Sequence, residues 1–251
     1  MIIQSDILAG VPNLIHGSGV VKACPLVFKY GDDFDAVVAH RRELMNELGI
    51  RLEDCVFMEQ VHGARVRRLG KNARGSGIEE PDSELKAIDA MMTDEPNVFL
   101  VAKSADCVPV FLYDPKQSVV ALVHAGWSGT IQEIALKTIR RMSRDYKTNP
   151  ADLFAYCGPA IGRRCYSIDH DLERIRQFQQ RFGESVLSIE HEQLHLDLRR
   201  CNRLLLEEAG VEPESIEMSD LCTHCDEHLP SYQREKRERR TAILNIIGLR
   251  P

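Results

Sequence analysis

The chain has 251 residues, 43% hydrophobic and 28% charged, with a formal net charge of −6. A chain this long buries about 70–75% of its unfolded surface, so its core needs no covalent staple, and its acidic balance excludes a general nucleic-acid binder. No window approaches the roughly 18 apolar residues of a membrane span, and MIIQSDILAG lacks the basic start and apolar core of a secretory signal, so a cytoplasmic chain with its eight cysteines reduced is expected.

In chain order, Val37, Val38, Leu44, Met45 and Leu48 are spaced for a helix over 33–48. FMEQVHGARVRRL (57–69) reads as a strand, a short break at Gly63 and a second strand. GKNARGSGIEEPDSE (70–84) is a polar, Gly-rich loop, and NVFLVAKSADC (97–107) is a strand running into a loop. VPVFLY (108–113) and SVVALV (118–123) flank DPKQ and predict a β-hairpin. With 114–117 as the loop, Tyr113 pairs with Ser118 and Cys107 falls opposite His124. Residues so opposed carry their Cβ atoms about 4.5–5.5 Å apart on one face. Pro109 predicts an edge strand or a bulge.

After AGWSGT (125–130) the pattern predicts a helix to about residue 144. Thr130 and Glu133 stand at capping-box spacing, and Ile131, Ile134, Ala135, Thr138 and Met142 share one face. LFAYCG (153–158) is a strand entering the loop PAIGRRCYS. Residues 169–182 and 195–209 are helical, the second closed by Gly210. SIEMSD (215–220) and TAILNIIGL (241–249) are strands. There is no repeat and no linker, and helices and strands mix without a regular βαβ rhythm. The expectation is one domain over residues 1–251, of α+β class, with mixed, largely antiparallel β-sheets flanked by helices.

Cys107 and His124 bracket the hairpin's apolar run. Singly, a cysteine is often a small buried hydrophobe and a histidine beside glycine a structural residue. Together they can share a metal or a proton. His62, in QVHG (60–63), stands at another strand–turn junction. Two histidines and a cysteine leave a tetrahedral Zn²⁺ with one open position, the mark of a catalytic site. Cys222, His224, Cys225 and His228 form a tight C-x₂-C cluster with two readings, a structural zinc or a loop motif, and no second ligand pair stands near it in sequence. Cys157 and Cys165 flank a Gly/Pro loop and read as pocket wall. AGWSGT is a turn whose following helix would present N–H groups to an anion such as phosphate. REKRERR (234–240) reads as a solvated mixed-charge face.

QVHG, ADC followed by an apolar strand, HAGW-x-G, CGP-x-IG-x-x-C-Y, D-x-CT followed by SY-x-R, and AIDAMMTD (87–94) recur in order along nearly the whole chain. In this the chain resembles the YfiH family, also called the multicopper polyphenol oxidase or laccase-domain family. The resemblance implies a Zn²⁺ held by His62, Cys107 and His124, which would also be the catalytic set. It implies phosphorolysis of purine nucleosides (adenosine, inosine, guanosine, methylthioadenosine) and hydrolytic deamination of adenosine. Relatives are also named peptidoglycan editing factors. The implied partners are purine nucleosides and phosphate, with no nucleic acid and no membrane, in a monomer or weak homodimer. Arg234 falls on the family motif and is expected at the substrate, with Trp127 stacking on a purine or packing in the core. Gln60 of QVHG joins them. Asp106 is expected behind Cys107 as a supporting carboxylate or proton carrier.

Three segments depart from the family pattern. LIHGSGVVKA (14–23) lacks the usual Phe-Ser-Thr-Arg run and its anion-binding arginine. SYQR has Gln233 where an arginine is usual, and Glu238-Arg239 replaces a Gly-Arg pair. Copper also suits a His₂Cys set. A multicopper oxidase needs many more histidines than the nine present, none in a His-x-His pair, so a true laccase ranks third. A cysteine hydrolase, with Cys107 as nucleophile and His124 as base, is the main rival. A non-catalytic editing adaptor with a structural zinc is the reading from another class.

Overall fold

The computed structural model describes residues 1–20, 33–190, 192–235 and 241–251. Its strands are β1 (Ile2–Ile3), β2 (Leu14–Gly19), β3 (Cys55–Phe57), β4 (Val66–Arg68), β5 (Ala90–Thr93), β6 (Phe99–Ser104), β7 (Val108–Asp114), β8 (Val119–Ala125), β9 (Phe154–Cys157), β10 (Leu187–Glu190), β11 (Gln193–Leu196), β12 (Ile216–Met218) and β13 (Ile243–Leu249). Its α-helices are α1 (Phe34–Glu47), α2 (Trp127–Ile131), α3 (Ile134–Tyr146), α4 (Leu172–Phe182), α5 (Leu198–Glu208) and α6 (Tyr232–Glu235). One sheet runs β1-β2-β13-β6-β3 and a second β12-β9-β7-β8-β5-β4, with β10-β11 a separate hairpin. The pairs β3–β6, β4–β5 and β9–β12 are parallel and the others antiparallel, giving the mixed, largely antiparallel α+β architecture expected.

The two large sheets stack face to face, and residue alternation sorts the layers. Phe111, Tyr113, Val120 and Leu122 of the six-stranded sheet meet Val56, Leu100, Ala102 and Ile247 of the five-stranded one. The opposite face of β7 and β8, carrying Val110, Leu112, Ala121 and Val123, packs on α3 and α5 through Ile139, Met142, Cys201 and Leu205. The outer face of the five-stranded sheet, with Phe99, Val101, Leu244 and Ile246, is covered by Leu44 and Met45 of α1. The central strands β7, β8 and β13 are buried along their whole length, which explains their near-continuous apolar sequence.

Five local expectations need correction. The hairpin register pairs Asp114 with Val119 and Pro109 with His124, so Cys107 is not directly opposite His124. The strands run further because Asp114 Oδ1 accepts from Lys116 N (2.9 Å) and Gln117 N (3.0 Å), while Ser118 takes φ +51°. The slip preserves face, since Cys107 precedes Pro109 by two residues, and leaves Cys107 diagonal to His124 on the same side. Pro109 is in a central strand, not at an edge. His124 N donates to Asp89 O, toward β5, so no β7–β8 rung needs an N–H at 109. On the other side Gly158 N donates to Pro109 O, where the β9 ladder ends.

The helix expected after AGWSGT is broken. Glu133 adopts φ +62°, separating α2 from α3, and Asn202 Nδ2 donates to Thr130 Oγ1 (3.0 Å) in the core, so the capping-box spacing is coincidental. Residues 193–196 form β11, and α5 begins only after Asp197, whose side chain caps it at Arg200 N (2.9 Å). The break between β3 and β4 spans 58–65, and β2 and β5 lacked a strand assignment from sequence.

Candidate metal centre

The site lies at one end of the six-stranded sheet. Cys107 immediately precedes β7, His124 is the penultimate residue of β8, Asp89 immediately precedes β5, and His62 sits in the loop leading to β4. Antiparallel pairing of β8 with β7 and β5 brings these positions to the same edge. One ligand atom each from His62, Cys107 and His124 lies within 4.8 Å of the others. The rings of His62 and His124 are 4.9 Å apart, edge to face at 75°. His124 is 3% exposed, whereas His62 opens to solvent, so the group is walled on one side and reachable on the other.

Asp89 organises the centre and was not singled out from sequence. It is fully buried. Its Oδ1 lies 2.9 Å from His124 Nδ1 and accepts from His62 N (2.9 Å). Its Oδ2 accepts from Val61 N (3.2 Å) and Gly63 N (2.8 Å). One carboxylate therefore sets both the imidazole and the QVHG backbone, in which His62 holds φ +57°. With Nδ1 engaged, Nε2 of His124 is left for a metal, the usual carboxylate–histidine–metal relay. The signal in the sequence was an acid inside the apolar run AIDAMM.

Electrostatics favour an ionised sulfur. Burial pushes the Cys107 thiol up, but the charge of His124 and hydrogen bonds from His124 and His62 outweigh it, bringing it down to about 6. Burial pushes His124 down, and Cys107 and Asp89 together carry it up to about 9. Asp89 is raised by burial and lowered, on balance, by His124 and the amides of Gly63 and Val61. Gly126 clears the space in front of the set, because a Cβ there would lie 2.9 Å from Cys107 Sγ and 3.1 Å from His62 Cδ2. A thiolate, two imidazoles, a carboxylate orienting one of them and a cleared approach fit a zinc ion with an open position.

The remaining expected residues have other partners. Both oxygens of Asp106 are engaged, by Thr223 Oγ1 (2.6 Å) and Gln233 N (2.7 Å). Gln60 clamps Lys103, donating to its carbonyl (2.6 Å) and accepting from its N–H (2.8 Å). Arg234 donates to the carbonyls of Thr223 (2.7 Å), His224 (2.9 Å), Asp226 (3.1 Å) and Leu229 (2.5 Å), and also to Glu235 Oε1 (2.8 Å). Trp127 is half-buried, with the Arg174 guanidinium 4.1 Å over its ring. Helix α2, behind AGWSGT, is a single short turn and offers an anion little dipole. Glu238 and Arg239 lie outside the described residues, as do residues 21–23 of the first departing segment and most of the 234–240 tract.

Residues 16–250 match the family described as multi-copper polyphenol oxidoreductase laccase. The chain belongs to this laccase-domain family. It is 34% identical over 220 residues to purine nucleoside phosphorylase YlmD of Bacillus subtilis, covering 87% of this chain and 79% of that protein. It is 32% identical over 214 residues to adenosine deaminase RL5 from an unknown prokaryotic organism, covering 84% and 81%. The crystal structure of YlmD from Geobacillus stearothermophilus superposes with a TM-score of 0.89 at 30% identity, covering 98% of this chain and 94% of that one. The laccase-domain chain described here thus shares its fold with relatives that carry enzyme names. Among its described residues no helix is long and apolar enough to cross a membrane.

Proposed function

We propose that the chain is a zinc-dependent purine nucleoside phosphorylase that also deaminates adenosine, with His62, Cys107 and His124 as both metal ligands and catalytic centre. The observation that carries this reading is the convergence of the three ligand atoms, with Asp89 fixing His124. Relatives named for each activity support the substrate class. Bound zinc would supply Lewis acidity at the open side of the set.

This chain's residues would do the rest. Asp89 holds the proton on His124 Nδ1, keeping Nε2 as a donor lone pair. Gly126 leaves room for the substrate beside Cys107. Deamination requires water at C6 of adenine and loss of ammonia. Phosphorolysis requires phosphate at the anomeric carbon and a proton for the departing purine. Arg174, lying over Trp127, is paired with Asp171 (2.9 Å) and donates to Tyr166 OH (3.2 Å), so it steadies the Trp127 ring beside Gly126.

A second reading, a cysteine hydrolase acting on a substrate such as a cell-wall precursor, draws on the chain Cys107–His124–Asp89, which has the order of nucleophile, base and orienting acid. It makes His62 dispensable and chelators harmless. The deciding experiment is chromatography of adenosine and inosine incubated with the zinc-loaded protein, with and without phosphate, beside Cys107→Ala. Phosphate-dependent release of free base, lost in the variant, is expected. No turnover of either nucleoside by a folded, zinc-loaded sample would refute the purine reading.

A further inference from the structure

We propose a second metal site, built by Cys165, Cys222, His224 and Cys225, of the closed Cys₃His class that takes Zn²⁺ structurally. None of these residues belongs to the first centre. Only three of them are close in sequence, and the fourth, Cys165, arrives from the loop after β9. Cys165 Sγ lies 3.3 Å from Cys225 Sγ, and one ligand atom each of Cys165, His224 and Cys225 falls within 4.8 Å of the others. Cys222, the first position of the C-x₂-C turn, has its Sγ on the Gly162 amide (3.1 Å) and would close the set as the fourth ligand. A Zn–S bond of about 2.3 Å sets two sulfurs of a tetrahedral site roughly 3.8 Å apart, so the thiols need spread only slightly to admit the ion.

Two further observations favour a metal over a simple thiol cluster. Gly162 N donates to Cys222 Sγ (3.1 Å), and the neighbouring amides of His224 and Cys225 favour its ionised form. Amides aimed at the first sulfur of a C-x₂-C turn stabilise a thiolate, the form that binds metal. The walls are also set independently of any ion. Arg199 donates to the carbonyls of Ser219 (2.7 Å), Ala160 and Leu221, and Ala160 bridges to Cys222, so the 160–166 loop is already fastened to the 219–223 segment. Arg234 binds the carbonyls of Thr223, His224 and Asp226 from the other side. A disulfide between Cys165 and Cys225 would use two of the four groups and leave Cys222, its amide donor and His224 without a role. Thr223, inside the C-x₂-C turn, donates to Asp106, the neighbour of Cys107, so the ion would brace the wall behind the first centre.

The test uses the full chain, purified under anaerobic reducing conditions, saturated with Zn²⁺ and freed of excess metal. Elemental mass spectrometry should find about one equivalent more zinc in the unaltered protein than in the Cys165→Ser, Cys225→Ser double variant. That extra equivalent should persist in Cys107→Ala. Equal zinc in the unaltered and doubly substituted chains overturns the proposal. Because the double variant can fail to fold, the unaltered protein supplies a second readout. Zinc should slow alkylation of Cys165, Cys222 and Cys225, followed peptide by peptide, by roughly tenfold or more. Unchanged alkylation, or a Cys165–Cys225 disulfide in the zinc-saturated sample, overturns it as well.

Discussion

Replacing Asp89 by asparagine isolates the residue that joins the two halves of the metal centre. Asparagine keeps the shape but exchanges one oxygen for an NH₂ donor. At present Oδ1 serves His62 N and His124 Nδ1, and Oδ2 serves Val61 N and Gly63 N. In either orientation the new NH₂ faces donors. If it faces Val61 and Gly63, the QVHG turn loses its acceptor. If it faces His124, the imidazole must accept at Nδ1 and carry its proton on Nε2, where the metal would bind. An unmade buried hydrogen bond costs about 1–3 kcal/mol, so thermal stability should fall by that order. Loss of a carboxylate behind a ligating histidine typically weakens metal binding 10–100-fold, or about 1.4–2.7 kcal/mol. Competition of the folded variant against a chromophoric chelator measures this directly. Zinc affinity within about twofold of the unaltered protein would refute the role given to Asp89.

Gly126→Ala places a methyl 2.9 Å from Cys107 Sγ at an ordinary backbone angle. Overpacking of this kind costs about 1–3 kcal/mol, and we expect it as weakened zinc binding in a chain whose circular dichroism is unchanged. In the metal-stripped chain, Cys107 should alkylate with a midpoint near pH 6, against about 8.5 for an ordinary thiol. Its lowered value stabilises the fold above the unfolded-state value, and that contribution is lost as pH falls through about 6. The raised His124 value acts in the opposite sense, complete below about 6.5 and lost as pH rises through about 9. A Cys107 midpoint above pH 8 would contradict the thiolate–imidazolium pair. Arg234→Ala removes a guanidinium shared by four backbone carbonyls. It should lower the melting temperature, with a loss of about 2–3 kcal/mol, and leave KM for nucleoside nearly unchanged. A large KM rise at unchanged stability would return Arg234 to the substrate.

Local pattern made much of the fold legible. The runs that became β6, β7, β8, β9 and β13 are apolar and β-branched because they are buried on both faces. The helix α1 declared itself by apolar spacing, and the structure adds that Asp33 and Asp171 cap α1 and α4. Short elements escaped, since β1, β5 and β10 have four residues or fewer and owe their form to a neighbouring strand. The break at Glu133 escaped because a left-handed glutamate has no local signature. It is held by Arg181 across the structure, at 2.6 Å.

For the site, the sequence by itself named the candidate donors. His62, Cys107 and His124 each stand where a strand meets a turn, and a side-chain period of two keeps Cys107 and His124 on one face despite the shifted register. Only the tertiary structure decided what surrounds them. It drew Asp89 behind His124, turned Asp106, Gln60 and Arg234 toward backbone partners, and carried Cys165 to the C-x₂-C turn. Strand order and loop docking set these contacts between residues far apart in the chain, and such contacts leave no periodicity in the local sequence.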